Sequence, residues 1–208
     1  MTATAREYVG AGAPVTTGVP VAQVAAFAVM TTILIGAPFF AYPVFLMKAL
    51  CFALFACAFN LLIGYVGLLS FGHAVFLGTA GYAAAHSAKV WGFRPELAIL
   101  FGTAVAVVLG IVIGALAIRS KGIYFANITL ALAQMVYFFC LQAAFTGGED
   151  GIQSVPRGTL LGFIDLRDTL TLYFVVLAIF LAGFLLIYRA IHSPFGQVLK
   201  AIRENEAR

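Results

Sequence analysis

Charge is what this sequence has least of. Lys and Arg number 12 and Asp and Glu 8, together 10% of 208 residues, while 63% are hydrophobic; soluble domains carry about a quarter charged residues. That excludes a soluble globular domain and points to a chain whose solvent is lipid. The charges also cluster, leaving Tyr8–Met47, Ala49–Ala88, Leu97–Ile118, Gly122–Gly148 and Thr169–Tyr188 without any Asp, Glu, Lys or Arg. Each stretch is long enough to cross a bilayer, where roughly 20 residues rising about 1.5 Å each cover about 30 Å of hydrocarbon. With no permanent charge inside them, the spans lack the buried ionisable groups of a proton pump or voltage sensor, so any coupling energy comes from elsewhere.

Other scarcities narrow the function further. The only cysteines, Cys51, Cys57 and Cys140, lie in apolar runs, where a thiol behaves as a small hydrophobe and a disulfide framework is not expected. His73, His86 and His192 are far apart, with no Cys or carboxylate at ligand spacing, so no metal is expected. No glycine-rich loop ends in Gly-Lys-Ser or Gly-Lys-Thr, so neither nucleotide nor other cofactor is expected on this chain. The basic balance reflects membrane topology rather than nucleic acid, for which no stacking platform or basic groove is present. Ser70 and His73, three residues apart, would share a helical face as nucleophile and base, but no acid lies nearby to orient the imidazole. Bonding to neighbouring helices or backbone is the better reading of that pair.

What is present predicts an all-α, polytopic transmembrane bundle of about six spans forming a single domain, with a tail over 1–19, a membrane bundle over 20–189 and a cytoplasmic segment over 190–208. The first span, Val21 to Phe40, is closed by Pro38 and Pro43 and is too long for a secretory signal core. The stretch from Ala49 to Ala88 reads as a hairpin turning near Gly64, Gly67 and Ser70. Spans then begin near Val21, Val44, Ser70, Leu97, Ile123 and Thr169. With both termini in the cytoplasm, Arg6, Arg119, Lys121, Arg189, Lys200, Arg203 and Arg208 fall inside, and Lys48, Lys89, Arg94, Arg157 and Arg167 outside. Gly110 with Gly114, and Ala74 with Gly78, are spaced for close helix packing.

Polar groups within the spans are few: Gln23, Asn60, Ser70, His73, Asn127, Thr129, Gln134 and Gln142. Each either glues helices together or lines a pathway. After the last span, Ser193 is placed to cap a short helix and Pro194 suits its first position. Phe195, Val198, Leu199 and Ile202 recur on one face, opposite Gln197, Lys200, Arg203, Glu204 and Glu206. The apolar stripe then lies on lipid headgroups, on its own bundle or in a partner's groove, and periodicity does not choose among these.

The run Asn60-Leu61-Leu62-Ile63-Gly64-Tyr65-Val66-Gly67, continuing into Leu69-Ser70-Phe71-Gly72-His73-Ala74, resembles the signature of branched-chain amino acid ABC transporter permeases. Two further blocks agree in order: Lys121-Gly122-Ile123-Tyr124-Phe125-Ala126 through Thr146-Gly147-Gly148-Glu149-Asp150-Gly151, and Ser193-Pro194-Phe195-Gly196 through Ala201-Ile202-Arg203-Glu204-Asn205-Glu206. The resemblance implies a transport subunit rather than an enzyme, in a bacterial-type inner membrane. It also implies a second permease subunit, cytoplasmic ABC ATPase subunits that supply the energy, and a periplasmic substrate-binding protein.

By the same resemblance, the segment from Ser193 to Glu206 is the ATPase-coupling element, with Phe195, Gly196, Val198, Leu199, Ala201, Ile202 and Arg203 in it. Asn60, Ser70, His73, Asn127 and Gln134 are the pathway candidates. The outer loop from Thr146 to Asp168, with Gly147, Gly148, Glu149 and Asp150, either meets the binding protein or is an ordinary solvated turn. The implied cargo is leucine, isoleucine or valine; urea or short amides within the same family, and a passive channel or assembly subunit outside it, are the alternatives. Family members continue beyond this segment, so the resemblance also implies a fragment of a longer subunit or a shortened product.

Overall fold

The structure, a computed structural model, describes residues 21–120, 122–162 and 164–204. Seven α-helices make it up: α1 Val21–Gly36, α2 Pro43–Leu61, α3 His73–Lys89, α4 Pro95–Ala117, α5 Gly122–Gln142, α6 Thr169–Ile191 and α7 Pro194–Glu204. A two-stranded antiparallel ribbon, β1 Thr159–Leu160 with β2 Ile164–Asp165, closes the loop before α6. The expected tail over 1–19, and Lys121, Asn205 and Glu206, lie outside the described residues.

Prolines set the helix limits. Pro38 sits in the single 3₁₀ turn that ends the first span, and Pro43 and Pro95 each open a helix at a position where the missing N–H is no loss. The residues before them, Tyr42 and Arg94, are extended, as a following proline requires. At the start of α6 the Asp168 carboxylate accepts from the Thr171 N–H (3.1 Å) and hydroxyl (2.8 Å). These bonds favour the ionised form and hold the carboxyl below its ordinary value.

Helix directions follow from bonds at the helix ends. Tyr188 near the end of α6 donates to Gln23 near the start of α1 (3.1 Å), and Tyr173 near the start of α6 donates to Leu34 O near the end of α1 (2.6 Å). These two helices are therefore antiparallel. His86 Nδ1 at the end of α3 bonds Phe145 O just past α5 (2.9 Å), and Glu96 at the start of α4 accepts from the Leu161 N–H of the ribbon loop. The chain thus alternates ends through six long helices, as expected for six crossings. Among the described residues, five segments are long and apolar enough to span: Val21–Phe39, Pro43–Val66, Pro95–Ala117, Gly122–Gln142 and Thr169–Ile191.

The sixth, α3, is the exception. Its 17 residues extend only about 25 Å, and it starts beside Thr129, because a Cβ on Gly72 would lie 2.7 Å from the Thr129 carbonyl. Thr129 is seven residues into α5, a depth of about 10 Å. The irregular segment from Gly67 to Gly72 supplies the missing length, so the helix begins at His73 rather than at Ser70.

Two packed units result. Met47, Leu50, Tyr173, Leu177 and Phe180 form the buried core between α2 and α6, with Met30 and Leu34 of α1 packed against it. The other close pair is α3 with α4: a Cβ on Gly102 would stand 2.5 Å from Ala80 O and 3.0 Å from Ala84 Cβ. Small residues let backbones approach, as lipid-embedded helices require. The expected small-residue pairs are not where this happens. Gly78 and Gly114 meet nothing within 4 Å, and Gly110 only the Phe76 ring at 3.8 Å. Spacing identifies small residues, but which face turns inward depends on the partner helix.

Candidate functional site

The last turn of α2 widens into a π turn over Leu62–Val66 and stops at Gly67, whose φ of 81° is left-handed. A residue without Cβ reaches that conformation at little cost, which is why a glycine ends the helix here. A Cβ on Gly64 in the same turn would stand 3.3 Å from Oδ1 of the exposed Asn60 side chain. Beyond Gly67 the backbone is irregular as far as Gly72. Irregular backbone at membrane depth is tolerated only inside protein or beside a wet cavity, and Ser70 and Gly72 are indeed buried.

His73 opens α3 inside an aromatic cage, its ring centroid 5.8 Å from Phe55, 5.6 Å from Phe59 and 5.7 Å from Phe76. Its Nδ1 is buried without a hydrogen-bond partner among the described residues. Ser70 lies before the helix rather than on it, so the expected shared helical face with His73 does not form. The glycine turn between them unwinds the backbone that i, i+3 spacing presumes.

A cleft of about 260 Å³ runs between α3 and α5, lined by Phe71, Gly78, Thr79, Tyr82, Gln134 and Tyr137 among others. A second, of about 470 Å³, continues toward His86, Trp91, Phe145 and Thr146. The two share Thr79, Tyr82, Val136 and Cys140. Together they follow α3 from Ala74 to His86, about 18 Å at the helical rise. Of the five pathway candidates, Gln134 lines this groove, and Ser70 and His73 flank it at the glycine turn. Asn127 is exposed two turns before Gln134 on α5, and Asn60 is exposed on α2. The hydroxyls of Thr79, Tyr82 and Tyr137 were not among the sequence candidates, although the i, i+3 spacing of Thr79 and Tyr82 is a helical signal.

At the far end of the groove the loop after α5 is stapled down. Thr146 is fully buried and its single hydroxyl proton is shared between Ala143 O (2.6 Å) and Cys140 O. Gly147, Gly148 and Gly151 all take positive φ, while Glu149 and Asp150 stay exposed in one 3₁₀ turn. Gln153 donates to Asp150 O (2.8 Å), and Lys89 at the end of α3 donates to Gln153 O (2.7 Å).

At the opposite end, α7 starts at Pro194, and the Ser193 hydroxyl donates back to Ala190 O (2.7 Å) instead of capping the helix ahead of it. Gly196 is buried against the Ile191 and Ala190 carbonyls, which leave no room for a side chain. Phe195, Val198 and Ile202 are each at least half exposed, and Leu199 is partly covered. The basic residues, not the apolar stripe, sit on the bundle. Arg203 Nη1 donates to Gly64 O at 2.7 Å and Lys200 Nζ lies 5.3 Å from the centre of the Tyr65 ring. Of the three places left open for the stripe, its own bundle is therefore not the one taken.

The family described as "Branched-chain amino acid transport system / permease component" matches residues 42–208. The high-affinity branched-chain amino acid transport system permease protein LivM of Salmonella typhimurium is 26% identical over 170 residues, covering 71% of this chain and 40% of the relative. LivM of Escherichia coli matches with the same identity and coverage. The chain thus spans about two fifths of the length of these curated relatives. No solved structure matches it.

Proposed function

Because the chain belongs to the branched-chain amino acid transport permease family, we propose that it forms part of the membrane pathway of an ATP-driven importer of leucine, isoleucine and valine. The groove along α3 and α5 supports that cargo. A zwitterion with a branched aliphatic side chain is neutral overall, needs apolar walls for its side chain and hydrogen-bonding groups for its ends. Thr79, Tyr82, Gln134 and Tyr137 supply amide and hydroxyl groups among otherwise apolar neighbours. None is permanently charged, so none holds the cargo too tightly to release it.

The observation that carries the ATP-driven reading is the exposed stripe on α7. An amphipathic helix beyond the last span, held to the bundle by its basic residues, leaves Phe195, Val198 and Ile202 free for a groove in an ATPase subunit. In this reading the α7 end faces the cytoplasm, where Arg119 and Arg189 also lie, and the Glu149–Asp150 loop faces a periplasmic binding protein. A related permease subunit completes the pathway. ATP-driven closure of the ATPase pair then shifts α7 and biases the bundle between two access states.

The test is uptake of radiolabelled leucine into liposomes holding the subunit purified from native membranes with whatever accompanies it. Uptake that needs both ATP and a binding protein, with loss of ATPase co-purification in the Phe195→Asp/Ile202→Asp double variant, is the expected result. Uptake indifferent to ATP would overturn the proposal in favour of a passive channel.

A further inference from the structure

The contact between α7 and the π turn explains more than the placement of a helix. A helix end leaves its last carbonyls without intrahelical donors and carries a partial negative charge, which a nearby cation relieves. Neither the last turn of α2 nor the π turn holds a basic residue. The cation comes instead from α7, 139 residues away in sequence, as the Arg203 guanidinium on Gly64 O. Lys200 adds a second positive charge over Tyr65 of the same turn. Gly67 makes the fit possible, because a Cβ there would stand 3.0 Å from Arg203 Cγ.

The place this contact grips is a joint of the molecule. The most extensive helix contacts are α3 with α4 and α2 with α6, and the chain passes directly from α2 to α3 through the π turn and the irregular segment to Gly72, returning to α6 by the longer route of α5 and the ribbon. His73 and its aromatic cage lie on the far side of that segment. We infer that Arg203, assisted by Lys200, clamps α7 to the π-helical end of α2 and is the positioning residue through which displacement of α7 reaches the joint between the two helix pairs. The apolar stripe receives the push from the partner and the basic face delivers it to the bundle. This deepens the proposed function and rests on it for the source of the push.

In the assembled transporter, leucine moved per ATP hydrolysed falls at least tenfold in Arg203→Gln and stays within threefold of the parent in Arg203→Lys, which keeps a cationic donor. A ratio within twofold of the parent in Arg203→Gln overturns the inference, and so does an Arg203→Lys variant as impaired as Arg203→Gln. A second measurement serves if Arg203→Gln does not assemble. In a chain with Cys51, Cys57 and Cys140 replaced by Ala, Tyr65→Cys and Lys200→Cys are joined by a short bismaleimide within one chain. Failure of that cross-link in the detergent-purified subunit overturns the clamp whatever the transport result. A cross-link that forms in a subunit whose leucine uptake ignores ATP overturns the proposed function and, with it, the transmitting role of Arg203, while leaving the contact itself intact.

Discussion

The bond from Tyr173 to Leu34 O tests whether a proline in the turn that ends a spanning helix dictates a residue on its neighbour. Leu34's carbonyl would ordinarily accept from the residue four positions on, which is Pro38 and has no N–H. Tyr173, fully buried, donates to it at 2.6 Å. Interhelical hydrogen bonds in membranes average only about 0.6 kcal/mol where alternatives exist. Here the carbonyl has lost its natural donor, so the cost of stranding it, about 1–3 kcal/mol, is the relevant magnitude. Tyr173→Phe removes one oxygen and keeps the ring in the core beside Leu177 and Phe180, so little packing is lost. The experiment is a double-mutant cycle with Pro38→Ala, which returns an N–H to the vacant position. Unfolding by SDS in mixed micelles, followed by circular dichroism, should show Tyr173→Phe costing about 1–3 kcal/mol with Pro38 present and no more than about half as much in the Pro38→Ala background. Equal costs in the two backgrounds would refute the reasoning, because Tyr173 would then be serving something other than the proline's vacancy.

Gly102→Val should destabilise the purified subunit by roughly 1–3 kcal/mol, because α4 must move off the Ala80 carbonyl of α3. Gly114→Val, where nothing lies within 4 Å, is the control, and similar melting temperatures for the two would contradict the assigned packing. The Asp168 cap gives a pH dependence of known sign. Its carboxyl is held below the ordinary aspartate value, so its contribution is complete above that value and is lost as pH falls through the lower folded one. Amide exchange at Thr171, corrected for intrinsic rate, should accelerate relative to mid-α6 between neutral pH and about pH 3, and Asp168→Ala should remove that difference.

Much of this was legible because lipid imposes simple rules. Length and charge-free runs mark the spans, and the prolines at 38 and 43 mark ends whatever the neighbours do. The break after Asn60 was legible from Gly64 and Gly67, since few other residues take the conformation that a helix end of this kind requires. The periodicity of Phe195, Val198, Leu199 and Ile202 disclosed α7 but not which face it would bury. That was decided by a carbonyl at Gly64, and no local pattern connects residues 139 positions apart. The shortness of α3 was hidden for a related reason: Ser70 and Phe71 continue a charge-free run, and only the approach of Gly72 to the α5 backbone shows why the helix starts later. Gly102 was passed over because the pairs at Gly110–Gly114 and Ala74–Gly78 match a spacing rule, whereas a close crossing needs just one gap on the face that meets the partner.

The aromatic corner at the far end of the groove has an optical consequence. Trp91 is the sole tryptophan of the chain, and its ring lies 5.1 Å from Phe101, 5.4 Å from Phe93 and 5.6 Å from His86. It is half exposed and lines the larger cleft. The indole emission of this subunit therefore comes from a single address at the mouth between α3 and α4. A change in its colour or intensity as the corner opens would be assigned to that mouth without any label being introduced.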